Sequence, residues 1–261
     1  PEPEGDKQKF RYALWDMDAT FGHYFNYTGV PSTEPDADPC NIENLAGNTS
    51  ADPEGHMSIL NKLTDNETFN QQYISRYIDL SNGILSCDQM IHNLDSMIND
   101  IQPEMQAQVD KWGGTMTQWN DNVQTLSAYI NARCAAISTG LIGCYDLSGP
   151  YDITVNVEPS NSGVVKVNSE WVPFYPWSSV QYGGINTLFK ADATANYEFD
   201  YWSASNHTFS NPNNINDTLD FTASDTIIAH FKLVLDPDDP VTPAVDPTGV
   251  TGIHIPNAFS P

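Results

Sequence analysis

The hydrophobic period of this chain changes near Tyr145, and this change constrains the fold more than any other feature of the sequence. Before it, apolar residues recur every three or four positions, which places them on one face of an α-helix. After it, apolar and polar residues alternate, as in a strand with one buried face. The 261 residues are therefore predicted to form a multi-domain α+β protein, with a helical part over residues 1–146 and a β part over residues 147–235.

The helical part is expected to contain several amphipathic helices. The helical period begins at about Ile59, and the apolar positions of the first helix are Phe69, Tyr73, Tyr77 and Leu80. A second follows Asp88, a residue type that caps helix N-termini, and Pro103 is expected to end it. A short helix is predicted at 104–112. The last helix, marked by Trp119 to Ile137, is expected to end near Gly140 or Gly143.

The β part is predicted to be a small all-β module of six short strands. Alternation from Tyr151 to Val157 marks the first strand, and residues 159–163 have the composition of a hairpin turn. A second strand then carries Val165 and Val167. The other four strands are expected at 187–191, 198–202, 219–222 and 226–231.

The C-terminal residues differ in composition from both parts. Residues 236–250 combine proline with aspartate, and proline favours extended polyproline II geometry, so this segment is predicted to be a linker. Residues 251–261 follow it and begin like another domain.

The charge of the chain restricts its partners. Its 34 acidic and 10 basic residues give a formal net charge of -24. Phosphate binding relies on Lys and Arg, so nucleic acid and anionic membranes are not expected partners. No apolar run approaches the roughly 20 residues that a membrane-spanning helix needs, so no span is predicted.

The chain has four cysteines, Cys40, Cys87, Cys134 and Cys144, without a closely spaced pair. That spacing disfavours zinc, whose sites usually contain close ligand pairs. Two disulfides in an oxidising compartment are expected, with three pairings open. Cys134 and Cys144 are near in sequence and could bridge a helix end, which would leave Cys40 for Cys87. Free buried thiols are the alternative.

Two carboxylates, Asp16 and Asp18, follow the apolar strand of residues 10–14. They point to opposite faces if the strand stays regular, but a turn lets both meet one hard cation, which prefers oxygen ligands. Gly22 permits such a turn. The alternative is an acidic pair that caps a turn beside Trp15 and Phe21.

The run from Arg11 to Gly22, RYALWDMDATFG, closely resembles the Trp-Asp-x-Asp-x-x-Phe-Gly signature of the CotH (spore coat protein H) family of atypical kinases. Two further features resemble that family. They are the segment ILNKLTDNETFNQQYISRYIDL and the run YINAR, residues 129–133, in the last helix. The resemblance covers residues 7–144. It implies the mainly helical C-lobe of a protein-kinase-like fold.

The resemblance implies that Asp16 and Asp18 bind the Mg²⁺ that coordinates the phosphates of ATP. Arg133 has an alternative role in an ion pair or a helix cap. The N-terminal lobe, its lysine and the catalytic Asp of the family are absent from these 261 residues, as is a Gly-rich phosphate loop, so the catalytic residues are unknown. We therefore expect part of a kinase that is inactive alone, or a surface scaffold or adhesin without activity.

The β part resembles the InlB B-repeat-like modules of bacterial surface proteins in its YDITVNVEP strand, GVVKVN hairpin and YEFDYW ending. Aromatic residues cluster in its middle, namely Trp171, Tyr175, Trp177 and Tyr182. If they are exposed, they could stack on a surface glycan, which makes a carbohydrate-binding accessory a further alternative.

The last seven residues, IPNAFSP, resemble the start of the gliding-motility-type (type B) C-terminal sorting domain of type IX secretion in Bacteroidetes. This resemblance implies a secreted protein of the cell surface and the type IX secretion machinery as a partner.

Overall fold

The computed structural model describes residues 20–22, 32–48, 50 and 52–234. The predicted linker at 236–250 and the predicted sorting-domain start at 251–261 lie outside these residues. The described chain forms a helical region followed by two small β-sheets, which confirms the predicted α+β class. Within it, no helix is both long and apolar enough to cross a membrane.

The helices begin at side-chain caps. The side chains of Asn66, Ser86 and Thr115 each accept a hydrogen bond from a backbone N–H three residues later. Ser86, rather than the predicted Asp88, is therefore the N-cap of the third α-helix. The helical elements are a 3-10 helix Asn41–Leu45, α1 His56–Thr64, α2 Glu67–Asn82, α3 Cys87–Trp112 and α4 Met116–Tyr145.

Two predicted helix ends are wrong. Pro103 lies inside α3, so the short helix predicted at 104–112 is the second half of α3. Proline has no backbone N–H, so the carbonyl of Asn99 loses its helical hydrogen bond. Both Pro103 and Asn99 are exposed, so water can hydrogen-bond to that carbonyl instead. Gly140 also lies within a helix, because α4 continues to Tyr145. A Cβ at Gly140 would collide with the ring of Pro39, so this glycine permits a close approach instead of ending the helix.

The β part forms two four-stranded sheets. The first has the order β4-β1-β8-β6 and the second β3-β2-β5-β7. All neighbours are antiparallel except β1 and β8, which are parallel. A shared core includes Phe189, Trp202 and Phe221. The strands are β1 Ser148–Glu158, β2 Gly163–Val167, β3 Glu170–Trp171, β4 Trp177–Gly183, β5 Thr187–Ala193, β6 Tyr197–Ala204, β7 Asn216–Leu219 and β8 Asp225–Leu233.

The strand predictions need three corrections. The turn at 159–163 does not close a hairpin, because β1 and β2 belong to different sheets. The strand predicted at 219–222 lies earlier, at Asn216–Leu219. Two strands, β3 and β4, were not predicted. In β4 the buried positions include Ser179 and Gln181, so its sequence lacks the apolar alternation that marks a half-buried strand.

A second hydrophobic core joins the helices to the first sheet. Ile74 and Ile78 of α2 and Leu141 of α4 pack with Tyr182 of β4. Leu141 is fully buried and Tyr182 is 3% exposed. The Tyr182 hydroxyl also donates a hydrogen bond to the carbonyl of Ser138, 3.0 Å away. The β part is therefore packed against the helices over a continuous interface.

The disulfides differ from the suggested pairing. Cys40 bonds to Cys144 and Cys87 bonds to Cys134, with Cα–Cα distances of 5.8 and 5.7 Å. Cys134 and Cys144 share α4 and are ten residues apart, which corresponds to about 15 Å along a helix and exceeds the reach of a disulfide. Free thiols, the alternative, are also wrong.

Candidate functional site

The predicted metal ligands Asp16 and Asp18 lie outside the described residues, so their positions stay a prediction. The last residues of the same motif are described. Phe21 and Gly22 have φ angles of +58° and +70°, both in the left-handed region. Two consecutive left-handed residues reverse the direction of the chain. The described end of the motif therefore turns at Phe21 and Gly22, whereas the conformation at Asp16 and Asp18 stays a prediction.

This turn packs against Tyr129 of α4. The rings of Phe21 and Tyr129 meet edge to face, with centroids 6.1 Å apart. A Cβ added to Gly22 would lie 3.0 Å from Cε2 of Tyr129, closer than side chains normally pack. The Tyr129 hydroxyl donates a hydrogen bond of 2.9 Å to the carbonyl of Thr33. Tyr129 thus connects the end of the acidic motif to the segment that follows, the 32–40 loop.

Arg133 lies one helical turn beyond Tyr129, on the same face of α4. Its guanidinium donates hydrogen bonds to the carbonyls of Ala37 and Pro35 in the 32–40 loop. Its partners here are carbonyl oxygens of another segment, so it neither caps its own helix nor pairs with a described carboxylate. Arg133 and Tyr129 together fix the 32–40 loop to α4.

Two further contacts fix the end of this loop. Cys40 is bonded to Cys144, and Glu43 of the 3-10 helix accepts hydrogen bonds from the hydroxyls of Tyr73 (3.1 Å) and Tyr145 (2.6 Å). Burial, together with the neighbouring Glu43, raises the pKa of Tyr145 far above its usual range, so its phenol remains a donor. The 32–40 loop and the 3-10 helix are therefore held by both α2 and α4.

A shallow cleft of about 280 Å³ lies between the 32–40 loop and α4. Its polar lining includes Glu34, Asp38, Tyr129 and Arg133. In the part of the chain that the structure describes, no group of three or more His, Cys, Asp or Glu residues is placed to hold a metal ion.

The four aromatic residues expected to cluster in the β part do not share a surface. Tyr182 is buried in the core between helices and sheet, and Trp177 packs against the core of the β part. The Tyr175 hydroxyl accepts a hydrogen bond of 2.6 Å from the N–H of Val165. Trp171 is 46% exposed and is the one member of the four with a large exposed surface.

A polar groove that was not predicted from the sequence lies between α2 and the second sheet, with a volume of about 630 Å³. The sequence indicates this groove only by a row of polar residues at helical spacing, namely Thr68, Gln72, Ser75 and Asp79. The full lining is Thr68, Gln71, Gln72, Ser75, Arg76, Asp79, Lys166, Asn168, Ser169, Asn186, Leu188 and Thr218.

The fold and the two disulfides define an α+β protein of the kind found in oxidising, extracytoplasmic compartments. The family model described as CotH kinase protein matches residues 3–137, which is just over half of the chain, and the chain belongs to this family. The match includes the acidic motif, Tyr129 and Arg133. Neither the curated proteins nor the solved structures contain a match to this chain.

Proposed function

We propose that this chain supplies the metal-binding part of a phosphoryl-transfer site in a CotH-type protein kinase, with Mg²⁺ and ATP as cofactors. Asp16 and Asp18 are the proposed metal ligands. The observation that carries the proposal is the packing of Phe21 and Gly22, three and four residues beyond Asp18, against Tyr129 in the middle of α4. The contact of this turn with α4 supports the proposal because it anchors the end of the motif that carries both carboxylates.

The donor set fits the ion. Mg²⁺ usually keeps several waters and is bound through one or two carboxylates together with substrate phosphates. When bound, the ion neutralises charge on the β- and γ-phosphates of ATP. In this proposal Asp16 and Asp18 supply the negative charge, while Tyr129 and Arg133 hold the following segment in place. The proposal assigns no catalytic base within residues 1–261.

The test is autophosphorylation of the full-length protein with Mg²⁺ and labelled ATP. Asp16→Asn and Asp18→Asn should each lower the rate by roughly 100-fold, in line with the loss of one group that stabilises transition-state charge. Asp88→Asn, a change on the exposed surface of α3, is the control and should leave the rate unchanged. Full activity in both motif variants would refute the site.

A non-catalytic scaffold or adhesin is the second candidate. It is favoured by the continuous interface between helices and sheets, which suits a rigid surface protein, and by the polar groove at that interface. A full-length wild-type protein that binds no ATP in the presence of Mg²⁺ would support this candidate against the kinase.

We also propose that the protein is exported to the cell surface by type IX secretion, with an InlB B-repeat-like β part. Two disulfides support export, and the resemblance of residues 255–261 to a type B sorting domain supports the route. In the native host, deletion of the sequence from residue 251 onward should retain the protein in the periplasm. Unchanged surface display after that deletion would exclude this route.

A further inference from the structure

We propose that the polar groove and the adjoining Trp171 bind an acidic sugar residue of a polysaccharide. Trp171 would stack on the sugar ring, and Lys166 and Lys190 would neutralise its anionic group. This binding activity is separate from phosphoryl transfer and does not depend on it.

The arrangement of charge is the first argument. Lys166 of β2 and Lys190 of β5 are directly opposite each other in the second sheet. Like charges in that position destabilise a sheet. Neither lysine forms a salt bridge with a described carboxylate, although the chain carries a net charge of -24. Two adjacent cations that pair with no described carboxylate, in so acidic a protein, are suited to an anionic ligand.

Trp171 is the second argument. It lies in the two-residue edge strand β3 and is 46% exposed. The ammonium groups of Lys166 and Lys190 lie 5.8 and 5.7 Å from its ring centroid, within the range of a cation–π interaction. An exposed indole offers an apolar face for the C–H groups of a sugar ring. The two cations beside it are placed for a carboxylate or sulfate on the same ring.

The lining of the groove is the third argument. Its volume of about 630 Å³ lies in the range of ligand sites, but hydroxyl and amide side chains replace most of the apolar lining that such sites usually have. Hydroxyls and amides both donate and accept hydrogen bonds, which matches the hydroxyl groups of a sugar. The members of this kind are Thr68, Gln71, Gln72, Ser75, Asn168, Ser169, Asn186 and Thr218.

Hydrogen bonds hold several of these side chains in place. Gln71 bonds to both the carbonyl (2.8 Å) and the N–H (3.3 Å) of Asn186. Asn168 accepts from the N–H of Leu188 at 2.9 Å. Arg76 donates to Ser169 at 2.7 Å and pairs with Glu170. The charge of Arg76 is thus already compensated, which leaves Lys166 and Lys190 as the cations for a ligand.

Isothermal titration of the full chain with oligosaccharides of equal length tests the proposal. The probes are an oligouronate, a sulfated oligosaccharide, a neutral oligosaccharide and inorganic sulfate. At least one acidic oligosaccharide should bind about tenfold more tightly than the neutral one, and added salt should weaken it. Trp171→Ala and the double variant Lys166→Gln/Lys190→Gln should each weaken this binding by about tenfold.

Two substitutions elsewhere provide matched controls. Trp112, at the end of α3, is 70% exposed, and the ammonium of Lys111 lies 5.0 Å from its ring. Trp112→Ala therefore removes a similar aromatic–lysine pair outside the groove. Lys232 is a half-exposed lysine of the other sheet, and Lys232→Gln should also leave binding unchanged. If Trp171→Ala does not fold, Trp171→Leu replaces it.

Three results would overturn the proposal. The first is equal affinity for the neutral and the acidic oligosaccharides. The second is an equal loss of affinity in Trp112→Ala and Trp171→Ala. The third is that inorganic sulfate displaces the acidic oligosaccharide while Trp171→Ala leaves its affinity unchanged. That result would mean that the site binds only the anionic group and not the sugar.

Discussion

Asp79 of α2 accepts two hydrogen bonds from Ser169 of the β part, one from the backbone N–H at 2.9 Å and one from the hydroxyl. Its other carboxylate oxygen accepts from the side-chain amide of Asn168 at 3.2 Å. Asp79 is 5% exposed. A buried carboxylate of the helical part thus has all of these partners in the turn between β2 and β3, so the two parts contribute jointly to one polar network.

Replacement of Asp79 should therefore destabilise the whole protein. Asp79→Ala removes the buried acceptor of three hydrogen bonds from the half-buried Asn168 and the exposed Ser169, and we expect a loss of about 1–3 kcal/mol in the free energy of unfolding. Urea denaturation measures this loss. Asp95→Ala, on the exposed surface of α3, is the control and should change stability by less than about 0.5 kcal/mol. A similar loss in both variants would contradict the role of this network.

The same residue predicts a pH dependence. Burial raises the pKa of Asp79 above its ordinary value, although the hydrogen bonds from Ser169 partly oppose this. Above the unfolded-state pKa, the folded protein then holds a proton that the unfolded chain has released, so the contribution of Asp79 to stability falls as pH rises towards the folded-state pKa. The stability of wild type relative to Asp79→Asn should thus decrease as pH rises above about 4, the unfolded-state pKa of an aspartate. Denaturation at several pH values tests this, and an increase would contradict it.

The second hydrophobic core predicts that helices and sheets unfold together. Leu141 is fully buried between α2 and β4, so Leu141→Ala should cost about 2–5 kcal/mol. Leu85→Ala, at a position 48% exposed, is the control and should cost far less. In wild type, the loss of helical circular dichroism and the change in tryptophan fluorescence should share one midpoint. Two separate midpoints in wild type would show that the parts unfold independently.

The turn at the end of the acidic motif predicts a local effect of Gly22→Ala. This change places a Cβ at a left-handed φ and 3.0 Å from the ring of Tyr129. Gly47→Ala is a matched control, because Gly47 has a similar φ of +79° but nothing within 4 Å of its Cβ. Gly22→Ala should lower autophosphorylation of the full-length protein at least about tenfold, whereas Gly47→Ala should not. Equal effects would assign the change to backbone strain alone.

The disulfides predict a specific fragment pattern and an order of stability. Digestion without reductant should yield peptides linking Cys40 to Cys144 and Cys87 to Cys134. Their sequence separations are 104 and 47 residues, so loop entropy favours the first bond by about 0.7 kcal/mol. Thermal unfolding of Cys40→Ser/Cys144→Ser should thus occur at a lower temperature than that of Cys87→Ser/Cys134→Ser. The reverse order would contradict the entropic account.

The sequence predicted the elements whose signal is local. The spacing of Tyr73 and Tyr77 correctly placed α2, because helical periodicity depends only on near neighbours. The same spacing could not show that α2 uses a second face. Ile74 and Ile78 pack against β4, and that contact joins residues about a hundred positions apart. The end of α3 was misplaced because a solvent-exposed proline can be accommodated in a long helix packed on its neighbour.

Non-local pairing explains the other differences. Whether β1 pairs with β2 or with β4 and β8 depends on which face each strand buries, and the turn at 159–163 does not encode that choice. The strand β4 was not predicted because polar side chains occupy several of its buried positions. For the candidate site, the acidic motif and its turn could be read locally, whereas the anchoring of that turn by Tyr129 required the fold.

The placement of Leu141 also determines where the chain can be divided without exposing its core. The family match ends at residue 137, four residues before Leu141 and within the same helix. A genetic exchange at the family boundary would separate this leucine from Ile74 and Ile78 and leave an apolar surface on both products. The helices and the sheet docked on them therefore bury a common apolar surface, and a fragment cut at residue 137 should not fold stably on its own.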